Sequence, residues 1–388
     1  MSLIEIIAAG VLAIWVYLAG ARGLFWTARL DHDHERSPEP ASWPALVAVI
    51  PARDEAVSIS ECLHSLFAQD YPGSFRIVLV DDQSSDGTAA VAAASAQSVG
   101  RSADLTIVAG RVLPAGWAGK VWALKQGIEH VEHLSDPPDY LLLTDADIAY
   151  APDALRTLVG RALRSQLVLA SLMVRLRCES LAERSFIPAF VFFFAMLYPF
   201  AWVNRSDCST AAAAGGCMLI RRDALRNAGG IEAIREALID DCALARRLKA
   251  VGPIWLGLTQ RVRSLRPYPG LEDIRRMISR SAYDQLGYSP LLLAATLVGM
   301  ALTYLAPPTL AIAASGPAEV FALAAWLLMA LVFQPILRVY RLSPLWGVAL
   351  PAIAAGFMAF TLDSAAQHFR GRSGLWKGRV GPNISARR

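Results

Sequence analysis

The sequence predicts an α/β domain, a mostly parallel sheet with helices on both faces, with membrane segments toward both ends of the chain. Three observations predict it. Short continuous apolar runs alternate with helical stretches between residues 46 and 143, as buried parallel strands joined by crossover helices do. Several of those runs end in acidic residues. The apolar residues, 55% of 388, are not evenly spread but gather in one N-terminal run and several C-terminal runs.

Leu46–Ile50 is the first strand, and Pro51 ends it. Val57–Gln69 has helical periodicity. Arg76–Val80 is the second strand, followed by the turn-rich Asp81-Asp82-Gln83-Ser84-Ser85-Asp86-Gly87, whose composition is that of a tight loop. Thr88–Val99 is an Ala-rich helix, Leu105–Val108 a third strand, and Lys120–His133 a helix that leads to the strand Tyr140–Leu143. That strand ends in Thr144-Asp145-Ala146-Asp147. No GxGxxG or Walker A loop is present, so the usual dinucleotide and P-loop readings have no support.

Ile4–Phe25 is nearly all apolar, with Glu5 the lone charge near its start and Arg22 and Arg29 at its far end. A cleaved signal would carry its positive charge first, so the reading is a retained anchor whose C-terminal end faces the cytosol. Leu291–Ile312, Ala318–Leu337 and Leu345–Leu362 each have the length of one crossing. Three crossings would leave the basic tail (Arg370, Arg372, Lys377, Arg379) outside, against the positive-inside tendency, so the Pro351-bearing segment is expected to be re-entrant or interfacial. Phe186–Val203, broken by Pro188 and Pro199, is read as interfacial or re-entrant, with a buried core helix equally compatible with its length. The expected organisation is an anchor over 1–30, a linker over 31–45, the α/β domain over 46–289 with the apolar segment 186–203, membrane segments over 290–363 and a basic cytosolic tail over 364–388.

The net charge of +4 comes without the basic stripe and interleaved aromatics that nucleic-acid binding requires. Five cysteines without CxxC spacing read as free thiols in a reducing compartment.

Ligands of such sheets sit beyond the carboxyl ends of the strands. Three strand ends carry acids here: Asp54 and Glu55, Asp81 and Asp82, Asp145 and Asp147. One would mean little, but three form an acidic rim that repels itself unless it holds a cation or donor groups. Residues i and i+2 of an extended segment share a face, so Asp145 and Asp147 are expected to reach one hard divalent cation, Mg2+ or Mn2+.

Pro51-Ala52-Arg53-Asp54-Glu55-Ala56, Val80–Thr88 and Leu143–Asp147 come in an order and spacing that resembles family 2 glycosyltransferases, which implies a GT-A nucleotide-sugar-binding domain. Leu113–Leu124 and Ser279–Leu286 resemble the hopene-associated subgroup of bacteria. The resemblance implies that Pro51, Arg53 and Glu55 line the nucleotide pocket, that Asp82 bonds the base or ribose, that Lys120 approaches the donor, that Asp145 contacts it and that Asp147 binds the metal. Asp81, Asp86 and Lys120 also have plain structural readings, as turn-shaping acids and a helix-start lysine. Gly215 and Gly216 match the family's small-residue turn below the acceptor. Asp240-Asp241 stands where the family has Glu-Asp, making Asp241 the general base, with Asp240 a shorter side chain than usual. Of the family's Gln-x-x-Arg-Trp signature only Arg280 survives, implied to pair with the diphosphate, and the missing Gln and Trp argue against a processive synthase.

The resulting expectation is an inverting, metal-dependent transferase of the bacterial inner membrane with its catalytic domain in the cytosol. It would move a sugar from a nucleoside diphosphate donor, with UDP the family expectation, to a membrane lipid; a hopanoid is suggested by the subgroup alone. A processive polysaccharide synthase and a non-catalytic membrane scaffold are the alternatives. Neither the sugar nor the oligomeric state is legible in the sequence.

Overall fold

The computed structural model describes residues 2–30 and 40–371. Most of the expected linker (31–39) and of the basic tail (372–388) lies outside the described residues. The described residues divide into two compact units: 29–30, 40–177 and 202–267 form one, and 2–28, 178–201 and 268–371 the other.

The first unit is built on one eight-stranded sheet: β1 (Leu46–Ala52), β2 (Phe75–Asp81), β3 (Leu105–Ala109), β4 (Tyr140–Thr144), β5 (Ile148–Tyr150), β6 (Leu169–Arg175), β7 (Cys217–Arg221) and β8 (Ile254–Ser264). The strand order is β3-β2-β1-β4-β7-β6-β8-β5. The half read from the sequence, β3-β2-β1-β4, is parallel throughout. The other half is mixed: β7 runs antiparallel to β4 and β6, β8 parallel to β6, and β5 antiparallel to β8. Helices pack on both faces of this sheet. On one face Ala48, Ile50, Ile77 and Leu79 pack in a core with Ile59, Cys62, Leu63 and Leu66 of the helix Ile59–Phe67. On the other, the helix Gly119–Glu132 lies so close that a Cβ on Gly127 would meet Val49 Cγ1 at 2.5 Å and Val80 Cγ2 at 2.9 Å. Alternation along β1 and β2 thus serves two cores, which is why the strands read as unbroken apolar runs.

The topology places the chemistry. β1 pairs with both β2 and β4, so the loops after all three emerge side by side. Because β7 is antiparallel to β4, with Thr144 opposite Cys217, the Gly215-Gly216 turn that precedes β7 opens on the same edge. β5 pairs with β8 through Ile148 and Ser264, which brings the segment after β8 to that edge as well.

The second unit is helical. Three of its helices are long and apolar enough to cross a membrane: Leu3–Gly20, Pro290–Ala313 and Pro317–Val339, of 18, 24 and 23 residues. Leu345–Leu362, of crossing length but expected to be re-entrant or interfacial, is not among them. The helix there is Leu350–Phe369. Asp363, Ser364, Gln367 and His368 crowd its last two turns, Asp363 pairs with Arg275, and the Ser364 hydroxyl accepts the Tyr283 N–H at 3.0 Å. Phe186–Val203 is not one helix: Leu181–Leu197 is a helix with a Ser180/Glu183 capping box. Its Phe186 and Phe193 pack on Phe357 and Phe360, and its Phe192 on Phe25 and Phe333.

Small residues bring Pro317–Val332 against Leu3–Gly20: Ala318, Ala322, Ala325 and Met329 recur at helical spacing and are buried, as are Ala8, Val11 and Trp15, a pattern that lets backbones approach. Trp15 does more than pack. The chain is π-helical over Ala301–Leu305, and the carbonyl of Thr303 faces Pro307 at i+4 and Pro308 at i+5, neither of which has an N–H. The buried Trp15 indole donates to that carbonyl instead, at 2.7 Å. Trp15→Phe keeps an aromatic ring but removes the donor and part of the buried indole, so it should cost at least about 1–3 kcal/mol. The measurement is thermal unfolding of detergent-purified protein, and an unchanged midpoint would contradict this role for the indole.

Candidate active site

The loops after β1 and β2 are clipped together before any ligand is considered. Asp54, at a left-handed φ of 51°, accepts the Ser85 N–H at 2.8 Å, and its own N–H donates to Ser84 Oγ. The Glu55 N–H donates to Thr88 Oγ1 and the Ala56 N–H to Asp86. Asp81 accepts the Ser84 N–H and Asp86 the Thr88 N–H, so both carboxylates shape their own turn. Within this frame Arg53 Nη1 donates to the carbonyls of Asp82, at 2.5 Å, and Gln83, at 3.3 Å. It stands 4.0 Å from the Asp82 carboxylate, which is fully buried. Pro51 is buried within β1 itself.

The DxD stretch is not an extended segment. Ala146 and Asp147 make a turn between β4 and β5, and the two carboxylates meet different cations. Asp145 pairs with Lys120 Nζ at 2.7 Å. Asp147, whose side chain is only 9% exposed, pairs with Arg266 Nε at 2.6 Å, and the same guanidinium reaches Glu55 at 2.6 Å through Nη2. The expectation of one shared face fails here because a turn lies within the tripeptide and each acid has its own counter-ion.

Lys120, at the start of the helix Gly119–Glu132, also lies 3.5 Å from Asp240. It thereby ties the end of β4 to the first turn of the helix Asp240–Lys249. Asp241 sits in that turn. Its Oδ1 accepts the Cys242 N–H at 2.7 Å and its Oδ2 the Gly215 N–H at 2.8 Å. Gly215 is closely packed: a Cβ there would come within 3.2 Å of Lys120 Nζ and 3.3 Å of Asp241 Oδ2, so both side chains would have to shift slightly. The Gly216 carbonyl accepts the Thr144 hydroxyl at 2.8 Å. Lys120, Thr144, Asp145, Gly215, Met218 and Asp240 line one cleft.

Burial pushes the Asp241 carboxyl up to about 6, with the negative Asp240 adding to the rise and Lys120 and the two backbone N–H donors opposing it. Those same carboxylates hold the Lys120 ammonium well above its ordinary range despite its burial, Asp145 most strongly. A carboxyl that ionises just below neutrality, beside a cleft, is what proton abstraction from a hydroxyl requires.

Lys120, Asp145, Gly215, Asp240 and Asp241 are thus brought together, and Glu55 joins Asp147 through Arg266. Arg280 belongs to the helical unit, where it is exposed and its N–H donates to the Arg276 carbonyl at the end of the helix Leu271–Ser279. Arg266 escaped the sequence reading altogether. Its only local signal is a third arginine following Arg261 and Arg263, and its partners lie 119 and 211 residues away.

Residues 47–229 match the profile of the family described as Glycosyl transferase family 2. These residues are a family 2 glycosyltransferase domain. The glycosyltransferase domain is similar to the 4,4'-diaponeurosporenoate glycosyltransferase of Staphylococcus aureus, 31% identical over 118 residues. It is also similar to an N-acetylglucosaminyltransferase of Rhizobium leguminosarum bv. viciae, 32% identical over 119 residues. Each match takes in 30% of this chain but only 28% and 25% of those relatives. Among solved structures, a mannosyltransferase from Pyrobaculum calidifontis in complex with GDP-Man and Mn2+ is 20% identical, with a TM-score of 0.58 covering 93% of this chain and 99% of that one. This likeness shows the GT-A fold.

Proposed function

We propose that the chain transfers one sugar from a nucleoside diphosphate sugar to a hydroxyl of a membrane lipid, by a single displacement that inverts the anomeric carbon. The observation that carries this reading is Asp241, a carboxylate of suitable basicity fixed at a helix start by two N–H donors and tied through Lys120 to Asp145. Asp241 takes the acceptor hydroxyl's proton as that oxygen attacks, and the bond to the diphosphate breaks on the opposite face of the sugar. Gly215 and Gly216 keep the floor of the cleft low enough for the acceptor to come within reach. Arg53 and Asp82, at the ends of β1 and β2, are assigned to the nucleotide, together with Pro51 and Glu55. Arg280 retains a diphosphate role on the strength of the family resemblance alone.

A divalent cation fits the donor set. Glu55, Asp82, Asp145, Asp147, Asp240 and Asp241 outnumber the cations Arg53, Lys120 and Arg266 around them, so an incoming diphosphate meets excess negative charge. Among the described residues no three acids converge into a ready-made cage. Mg2+ and Mn2+ do not need one, since one or two carboxylates, water and substrate phosphate suffice. Asp147 would hold the ion, with Asp145 left to the donor, and the ion when bound offsets the charge of the departing diphosphate. Three helices apolar enough to cross a membrane support a lipid acceptor and a place in the bacterial inner membrane.

The test is incubation of purified full-length protein with a panel of UDP- and GDP-sugars, Mg2+ or Mn2+, and bacterial lipid extract containing hopanoids. Nucleoside diphosphate release is measured and the lipids are weighed by mass spectrometry. One donor should be consumed and one lipid should gain a single sugar. Polymer would point to a processive synthase, and no release with any donor to a scaffold.

A further inference from the structure

Arg266 pairs with two of the strand-end acids, no expectation covered it, and its placement is built rather than incidental. It follows β8 by two residues. The Leu265 N–H donates to the Asp147 carbonyl at 2.7 Å, and the Arg266 N–H to Ser264 Oγ at 3.3 Å. With Ser264 opposite Ile148 in the β8–β5 ladder, the root of the arginine is fixed beside Asp147 whatever its side chain does. From there the fork spans two carboxylates that come from different loops, Nε to Asp147 and Nη2 to Glu55, each at 2.6 Å. Both acids are largely buried, whereas the Arg266 side chain is 36% exposed. The guanidinium is therefore the solvent-facing cover over two inward carboxylates.

We propose that Arg266 is the resting counter-ion of Asp147 and Glu55, occupying by its guanidinium the place a divalent cation takes on Asp147, so that arginine and metal compete for the same carboxylate. This rests on the metal-dependent reading above. A guanidinium satisfies carboxylates through two charge-assisted hydrogen bonds, which a cation approaching Asp147 has to break. Being partly in water already, the side chain loses little hydration when released. A monocation that leaves when a dication arrives also keeps the site from accumulating unneeded positive charge, and it holds Glu55 and Asp147 in place until then. Arg266 acts here as a positioning residue, with its effect exerted through Asp147.

The experiment is titration of purified full-length protein with Mn2+ in the absence of nucleotide, following the free-ion signal by electron paramagnetic resonance. Arg266→Gln should bind Mn2+ on the order of 10-fold more tightly than the unaltered protein, the size of one charge-assisted hydrogen bond no longer broken. Arg266→Lys, which keeps the charge but not the fork, should fall between them. Adding Asp147→Asn to Arg266→Gln should abolish the gain. A variant that merely unfolds would not gain affinity, and thermal unfolding with and without Mn2+ checks this. Equal or weaker binding by Arg266→Gln overturns the proposal, as does a gain that survives Asp147→Asn. The same titration with UDP or GDP present separates the two readings. If the unaltered protein then binds Mn2+ but Arg266→Gln shows no advantage without nucleotide, competition is wrong and metal dependence stands. If neither protein binds Mn2+ under any condition, both fall.

Discussion

Asp241→Asn should lower turnover by about 10²–10⁴-fold, the usual contribution of a positioned side-chain base, while leaving nucleotide-sugar binding nearly unchanged. The amide oxygen can still accept the Gly215 N–H, so the turn survives, but nothing remains to take the proton. The pH profile makes the assignment specific. A base works only when ionised, and this carboxyl ionises at about 6 because burial and Asp240 raise it. The kcat/KM of the unaltered protein should therefore climb as pH rises through about 6 and level off above it, and the residual rate of Asp241→Asn should lack that limb. Stopped-time assays of nucleoside diphosphate release between acid and neutral pH measure both. A variant that keeps most of its activity, or an unchanged limb in the asparagine variant, would move the base elsewhere.

Lys120→Met should have the second large effect, and in two readouts. Lys120 bridges Asp145 and Asp240 and lowers the carboxyl of Asp241. Without it three acids face one another with no cation between them, and losing one partner of a largely buried pair costs roughly 3–5 kcal/mol, less here by whatever water reaches the exposed part of the lysine. Thermal unfolding should show that loss. In the surviving folded protein the removed cation no longer favours ionised Asp241, so the ascending limb should move to higher pH. Lys120→Arg retains the charge and should return the limb toward its original position. A limb that stays at about 6 in Lys120→Met would mean that Lys120 and Asp241 are not electrostatically linked.

How much of this was legible in the sequence follows from the range of each interaction. Leu46–Ile50, Arg76–Val80, Leu105–Val108 and Tyr140–Leu143 were visible because burial on both faces leaves an unbroken apolar run. The acids that close them were visible because strand ends in such sheets face ligands. The three helices long and apolar enough to cross a membrane were visible from length and composition. β5, β6 and β8 were missed: none carries the strand-then-acid signature that marked the others. The reading of Asp145 and Asp147 as neighbours on one extended face failed because local periodicity does not report a turn between β4 and β5.

By itself, the order of residues determined the alternation of strands and helices, the carboxylate-rich strand ends and the apolar runs, since each depends on chemistry repeated within a few residues. Only the tertiary structure decided which cation meets which acid: Lys120 with Asp145 and Asp240, Arg266 with Glu55 and Asp147, and Gly215 with Asp241. These partners are separated by tens to hundreds of positions. Electrostatic pairing acts over a few ångströms of space, and sequence distance carries no record of which strands the sheet will set side by side.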